Sequence, residues 1–402
     1  MAVRADQQEP PISGRERLMI VTRRVFTAGL VGSVAAPALI RSASAQGGTI
    51  KIGMVVPVTG AAAESGSFAQ TGARIAVDQV NKAGGVLGKQ LELVFEDDQT
   101  TNPGAVLAFS KLSSQPDIVA FLGSIRSTQN HAMAPDMLKA GKPVGFGGTD
   151  PNLTKLGNPW MFRFRPNDSY SGKVIAQYGA KELGKKKWAI VHSTDAFGTA
   201  GAKALTEALP ENGATLALDQ GYANQSQDFT PVVLAVRQSG ADILGTYFTF
   251  ETDLGIFARQ LRQLGVNIPW VGSPSIVNVS ALKLAGPALF NTYGVADYAE
   301  DSSEAAKAFG KAYRDVRKLA PDNQSSWTYD AVTVFALAMN KAGTTEPNKV
   351  REAILAIRGH KGAEGEYNFD KNGDGLHGYN IVKNEKGEIK FDKRIDFTPQ
   401  LG

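Results

Sequence analysis

Residues 49–98, TIKIGMVVPVTGAAAESGSFAQTGARIAVDQVNKAGGVLGKQLELVFEDD, spell a strand, a helix and a second strand in that order. Ile50, Ile52 and Met54-Val55-Val56 form an apolar run that stops at Pro57. Phe68, Gly72, Ile75, Ala76 and Val80 recur at helical spacing, and Gly84-Gly85 ends that helix. Leu91 to Phe95 is the next strand, closed by Glu96-Asp97-Asp98, which reads as a strand end facing solvent rather than a catalytic carboxylate pair. The alternation continues outward. Asn102-Pro103 caps a helix with Pro in its first turn, Ile118 to Leu122 is a short buried strand, Ser127 opens a helix to Ala140, and Pro143-Val144 begins another strand. After a break at Arg165-Pro166-Asn167 the pattern restarts. Strands at Trp188–Val191, Thr215–Leu218 and Ile243–Tyr247 alternate with helices, which are marked by Phe197, by Phe229, Val232, Val233 and Val236, and by Leu254, Phe257, Ala258, Leu261 and Leu264. Residues 302–357 read as mostly helical, and 379–395 as a short hairpin. Short apolar strands separated by helices require parallel sheets covered on both faces, so the expected fold is α/β, with two doubly wound Rossmann-like lobes. Ligands of such sheets bind beyond the carboxyl ends of the strands, where helix N-termini present free N–H groups.

The 402 residues suit two such domains, and 43% hydrophobic with 20% charged residues is a globular composition. The net charge of +4 lies mostly in the first 45 residues, which carry six arginines against three acids; the remainder has a net charge of +1. A nucleic-acid partner would need a concentrated basic face, and the one short run, Lys185-Lys186-Lys187, reads as a solvated strand entry. The first 45 residues read as a twin-arginine-type signal peptide. Arg23-Arg24 precede an apolar stretch from Ala28 to Ile40, then Arg41 and the small-residue site Ala43-Ser44-Ala45. Cleavage is expected after Ala45, with Met1 or Met19 as the start, and the apolar stretch is too short to remain as a membrane anchor.

Residues that carry covalent chemistry are sparse. With no Cys there is neither a thiol nucleophile nor a thiolate metal site, and His131, His192, His360 and His377 lack metal-ligand spacing. No G-x-S-x-G elbow, phosphate-binding loop or dinucleotide fingerprint follows a strand, so no cofactor, no metal and no enzymatic activity is expected. Asp370-Lys371-Asn372-Gly373-Asp374-Gly375 imitates the start of a calcium loop, but its twelfth position is Ile381 and not Glu, so it reads as a turn. Two strand ends are more informative. Gly123-Ser124-Ile125-Arg126-Ser127 joins a buried strand to a helix, with Ser127 either a simple N-cap or a carboxylate ligand. Phe146-Gly147-Gly148-Thr149 ends the next strand with bare backbone and one hydroxyl.

These pieces, in order, resemble the periplasmic substrate-binding proteins of branched-chain amino acid ABC transporters, the leucine/isoleucine/valine-binding type. The residues that carry the resemblance are Val56-Pro57-Val58-Thr59-Gly60, Ile75 to Gly85, Glu96-Asp97-Asp98-Gln99, Phe162-Arg163, Asp195-Ala196-Phe197-Gly198, Gln227-Asp228-Phe229 and Tyr329-Asp330-Ala331. The resemblance implies a type I periplasmic binding fold whose lobes are joined by a three-strand hinge, with crossings near Asn167, Asp297 and Gly362. Lobe 1 would then hold residues 46–167 and 297–362, and lobe 2 residues 168–296 and 363–402. It implies a periplasmic location, capture of a small carboxylate ligand, in the first place a branched-chain or other hydrophobic amino acid, for uptake, and membrane permease subunits of an ABC transporter as partners, with no stable membrane insertion. It places Ser127 and Thr149 on a ligand carboxylate, Gly147 and Thr149 near an ammonium, Gly148 beside them, and Phe197 against the ligand where the family usually has Tyr. At about Pro274 the amino-acid binders carry a Glu for the ammonium, which this chain lacks; either Glu251 or Asp253 supplies that charge, or the ligand has no ammonium. Arg126 is either a second carboxylate partner or a solvated rim residue. Three other functions stay open: a receptor of this fold for an aromatic or dicarboxylic acid, one for an amide or urea compound, or a ligand sensor.

Overall fold

The computed structural model describes residues 48–398, so the expected signal peptide lies outside the described residues. The first lobe runs β1 (Thr49–Val56), α1 (Ala63–Lys82), β2 (Gln90–Asp97), α2 (Asn102–Ser113), β3 (Ile118–Leu122), α3 (Ser127–Ala140), β4 (Val144–Phe146) and β5 (Met161–Arg163). The second runs α4 (Asp168–Lys181), β6 (Lys187–Ser193), α5 (Ala196–Ala208), β7 (Thr215–Tyr222), α6 (Thr230–Gln238), β8 (Ile243–Tyr247), α7 (Glu251–Gln263), β9 (Trp270–Gly272), α8 (Val279–Ala285) and β10 (Tyr293–Ala296). The chain then returns to the first lobe with α9 (Glu304–Arg317), α10 (Asn323–Ala342), α11 (Pro347–Leu355), β11 (His360–Lys361) and β12 (Glu366–Tyr367). It ends on the second lobe with β13 (Gly378–Glu385) and β14 (Glu388–Asp396).

The first sheet has the order β2-β1-β3-β4-β5, and all its pairs are parallel. The second has the order β14-β13-β10-β9-β8-β6-β7. Apart from the antiparallel hairpin added at its edge, its parallel strands β7-β6-β8-β9-β10 repeat the order of the first sheet. In both sheets the strand order reverses between the first and third strands of the lobe, so a crevice opens beyond their carboxyl ends. β1 sits inside the sheet between β2 and β3, which is why Ile52 to Val56 is apolar on both faces, while Lys51 near its start pairs with Asp117. α1 lies against α10 at backbone distance: a Cβ on Gly72 would come 1.9 Å from the Ser325 carbonyl oxygen, and Thr328 Oγ1 donates to the Ala69 carbonyl at 2.7 Å. The second lobe buries Trp188 and Trp270 completely.

The hinge is a buried polar knot. Arg165 donates to Asp297 Oδ2 at 2.7 Å and to the Gly147 carbonyl at 3.0 Å, and Tyr379 donates to the Pro166 carbonyl at 2.7 Å. Burial pushes Asp168 up to about 7 and Asp330 up to about 6, and it raises Glu364 well above the usual carboxylate range. The third passage between lobes differs from the boundary expected at Gly362. Tyr367, Phe369 and Leu376 pack into the first core, with Tyr367 and Phe369 against Phe164, and Asp374 pairs with Arg163 Nε at 2.6 Å. Aromatic packing and a buried ion pair therefore hold residues 363–376 on the first lobe, and the chain leaves it only at His377. Asp370–Gly375 is a turn: Asp370 Oδ1 accepts from the backbone of Asn372 and Asp374, and Arg163 exchanges backbone bonds with Gly373 and Gly375.

Candidate functional site

A cavity of about 300 Å³ lies between the lobes, lined where strands of both sheets end. Its floor on the first lobe is the turn from β3 into α3. Asn130 fixes that turn: its Oδ1 accepts from Ser124 N at 3.1 Å, and its Nδ2 donates to the carbonyls of Ser124 at 2.7 Å and Arg126 at 3.0 Å. A Cβ on Gly123 would sit 2.9 Å from Asn130 Oδ1, so only Gly permits this tether. The cap of α3 is Arg126, with no side-chain capping bond; Ser127 is the first helical residue, not the N-cap expected from sequence. Its Oγ instead accepts from Asp150 N at 3.1 Å, which leaves the hydroxyl proton free to donate.

Arg126 reaches across the gap to the second lobe. Its Nη1 donates to the Thr249 carbonyl at 3.1 Å, and its guanidinium lies 4.4 Å from the centre of the Phe250 ring. Nε and Nη2 are buried with no partner. From the other side, Glu251 opens α7 and accepts from Ser65 Oγ at 2.8 Å, a second bond that bridges the lobes, and from Asn278 Nδ2 at 3.1 Å. Both bonds fall on Oε1, and among the described residues Oε2 has none. These two bridges describe a closed cleft.

Arg126, Ser127, Phe197 and Glu251 all line the cavity, and Pro274 stands on its wall. Phe197 leans edge-on against Tyr247, their ring centres 5.8 Å apart. Gly147, Gly148 and Thr149, expected on the ligand, are not among the residues that line it. Thr149 Oγ1 donates to Asp168 Oδ2 at 2.8 Å within the hinge. Gly147 and Gly148 are packing glycines: an added Cβ would lie 2.9 Å from the Trp327 ring or 2.7 Å from Asn130 Nδ2. Asp253, the alternative carboxylate, is fully buried behind the wall, accepts from Gln225 N at 2.8 Å, and is pushed up to about 6 by burial. Asp97 and Asp98 do not face solvent as a free pair. Asp97 accepts from the backbone of Val58, Thr59 and Gln99 and holds the loop after β1, while Asp98 is fully buried.

Four charged side chains line the cavity, and two are satisfied internally. Arg165 pairs with Asp297; Asp195 caps α5 through Gly198 N at 3.0 Å and accepts from Asn224 Nδ2 at 2.8 Å. Among the described residues Arg126 has no carboxylate, and Asp195 and Glu251 have no cation. Of the two acids Glu251 keeps one oxygen, Oε2, without any hydrogen bond, so it and Arg126 offer opposite charges to the same space. Sequence reading missed Arg165, Asp195, Asn224 and Gln225 as wall residues, although each lies at or just beyond the end of a strand.

The family model described as periplasmic binding protein matches residues 49–388. The chain belongs to the periplasmic binding protein family. Among relatives of this periplasmic binding protein is the leucine-, isoleucine-, valine-, threonine- and alanine-binding protein of Pseudomonas aeruginosa, 28% identical over 329 residues, which cover 81% of this chain and 87% of that one. Two solved structures share its type I fold. The branched-chain amino acid transporter substrate-binding protein of Streptococcus pneumoniae, in complex with isoleucine, matches with a TM-score of 0.80 at 24% identity, covering 87% of this chain and 100% of that one. A solute-binding protein of R. palustris, in complex with benzoate, matches with a TM-score of 0.78 at 18% identity, covering 86% and 96%. Among the described residues no helix is long and apolar enough to cross a membrane.

Proposed function

We propose that this periplasmic binding protein captures a small amino acid as a zwitterion and delivers it to the membrane permease of an ABC transporter, with no covalent step. The observation that carries this reading is the pair of opposite charges, Arg126 and Glu251, that line one closed cavity with no ion-pair partner among the described residues. The ligand carboxylate takes the free Nε and Nη2 of Arg126 together with the Ser127 hydroxyl; the ammonium takes Glu251 Oε2. Phe197, Phe248 and Phe250 give an apolar wall for the side chain. At about 300 Å³ the cavity is at the small end of the ligand-site range, which suits a compact solute. Ligand binding selects the closed arrangement, because the two charges converge only when the lobes meet. Export through the leader, cleaved after Ala45, places the mature chain beside its transporter.

A second reading, an aromatic acid without an ammonium, is favoured by the Phe250 ring against Arg126, by Phe197 and Phe248 on the same cavity wall, and by the existing neutral donors on Glu251. A thermal-shift panel of the proteinogenic amino acids, aromatic carboxylates and small amides separates the two readings, because a ligand that binds only the folded state raises the midpoint. A shift with aliphatic amino acids supports the first reading. A shift with benzoate-type acids alone overturns it in favour of the second, and a response confined to neutral amides overturns both.

A further inference from the structure

A second cavity, of about 570 Å³, lies beside the cleft where the two lobes meet again. Val277, Leu282, Ile389 and Phe391 of the second lobe face Pro321, Asp322 and Asn323 of the first. Most of that wall is apolar, and Val277, Ile389 and Phe391 pack on the small satellite core of Ala296, Ala299 and Val382. The cations on the wall are already matched, Arg314 with Glu300 and Lys390 with Glu388. Asp322 is not matched. It is 5% exposed; Oδ1 receives the N–H groups of Gln324 at 3.1 Å and Ser325 at 3.3 Å, and Oδ2 is buried with no partner. Next to it Asn323, 9% exposed, donates through Nδ2 to Asp297 at 3.3 Å and leaves its own Oδ1 without a partner. Burial, helped by the like charge of Glu251, pushes the Asp322 carboxyl up to about 7 against the hydrogen bonds from Ser325 and Gln324.

Two adjacent orphan acceptors, one of them a carboxylate, on the wall of an apolar cavity call for one group with several N–H donors and a formal charge. Leaving them unpaired costs desolvation free energy that a neutral apolar guest would not recover. Anions are excluded by Asp322, Asp301 and the acidic partners of both cations. We infer that this cavity is a binding site for a small organic ammonium with an apolar body, held at its charged end by Asp322 and Asn323. Asn323 also lines the amino-acid cleft, and the walls come from both lobes, so the guest contacts the groups that move when the cleft opens.

Phenethylammonium is the probe, with 2-phenylethanol as its neutral counterpart, titrated calorimetrically into the mature chain. The expected result is binding of the ammonium at least about tenfold tighter than the alcohol, the difference expected for one charge-assisted hydrogen bond. Asp322→Asn keeps a residue that caps α10 equally well and removes the charge; it should weaken the ammonium about tenfold or more. Leu282→Trp fills the space and leaves the charge, and should abolish binding; if Asp322→Asn does not fold, this variant decides. Because Leu282 lines this cavity and not the cleft, Leu282→Trp should leave amino-acid affinity in the cleft unchanged, which separates the two sites. Equal affinity for alcohol and ammonium, loss with Glu251→Gln but not with Leu282→Trp, or no heat at about 10 mM probe would each overturn the inference, whatever the cleft binds.

Discussion

Replacing Arg126 with Met keeps a long apolar side chain over Phe250 and removes the only guanidinium in the cleft that lacks a carboxylate partner. Two of its donors, Nε and Nη2, are unpartnered, and together they can take a carboxylate through both oxygens. Each charge-assisted bond contributes about 1.5–3 kcal/mol net of hydration, so losing one to two of them should cost about 2–4 kcal/mol. That is a weakening of about 30- to 1,000-fold in Kd. Arg126→Lys restores the charge without the planar fork and should recover only part, ending about 5- to 30-fold weaker than the unaltered protein. The assay is isothermal titration calorimetry with the compound that gives the largest shift in the thermal panel, and with its carboxamide analogue as control. Because the amide has no carboxylate, Arg126→Met should affect it far less. Affinity of Arg126→Met for the acid within about threefold of the unaltered protein would refute the role of Arg126. Equal losses for acid and amide would show that Arg126 acts through its bridge to Thr249 and not on the ligand.

Further outcomes follow from the same contacts. Glu251→Gln keeps acceptance from Ser65 and Asn278 through its amide oxygen but loses the charge, so calorimetry should show amino-acid affinity falling about tenfold or more with little change for a benzoate-type acid. Ser127→Ala and Thr149→Ala should diverge: the first weakens ligand binding by about 1–3 kcal/mol, while the second, which removes the donor to buried Asp168, lowers the unfolding free energy in urea by a similar amount and spares affinity. Asp168 has a native carboxyl near 7, above its unfolded value, so the native state holds a proton that the unfolded chain releases between about pH 4 and 7. Its contribution to stability therefore falls as pH rises through that window, and Asp168→Asn should flatten the urea-midpoint profile between pH 4.5 and 8 by on the order of 2 kcal/mol. Gly72→Ala forces a methyl group onto the Ser325 carbonyl, and should lower the thermal midpoint by several degrees, with a cost of about 1–3 kcal/mol.

The alternation of short apolar strands with helices was legible because burial on both faces leaves short uninterrupted apolar runs, as in Ile118 to Leu122. The strand positions, the helical stretch at 302–357 and the terminal hairpin all appear where the pattern puts them. The segment around Tyr367 to Leu376 was not legible. Nothing local distinguishes packing on one lobe from packing on the other; the Phe164 ring and Arg163, some two hundred residues away in sequence, decide it. The site divides in the same way. Arg126 and Ser127 stood out because they join a buried strand to a helix start, although a cap and a solvated rim residue were open alternatives; the structure puts both on the cavity wall. Thr149 looked equivalent, yet its hydroxyl turns to Asp168.

The order and type of the elements, and hence a pair of sheets with their carboxyl edges available, followed from the sequence by itself, since hydrophobic periodicity is a local property of the chain. Which of the polar residues at those edges meet was decided by tertiary structure alone. Ser65 reaches Glu251, and Arg126 reaches Thr249, only across a gap between lobes more than a hundred residues apart in sequence. Electrostatic pairing depends on distance in space, which no reading of local pattern contains.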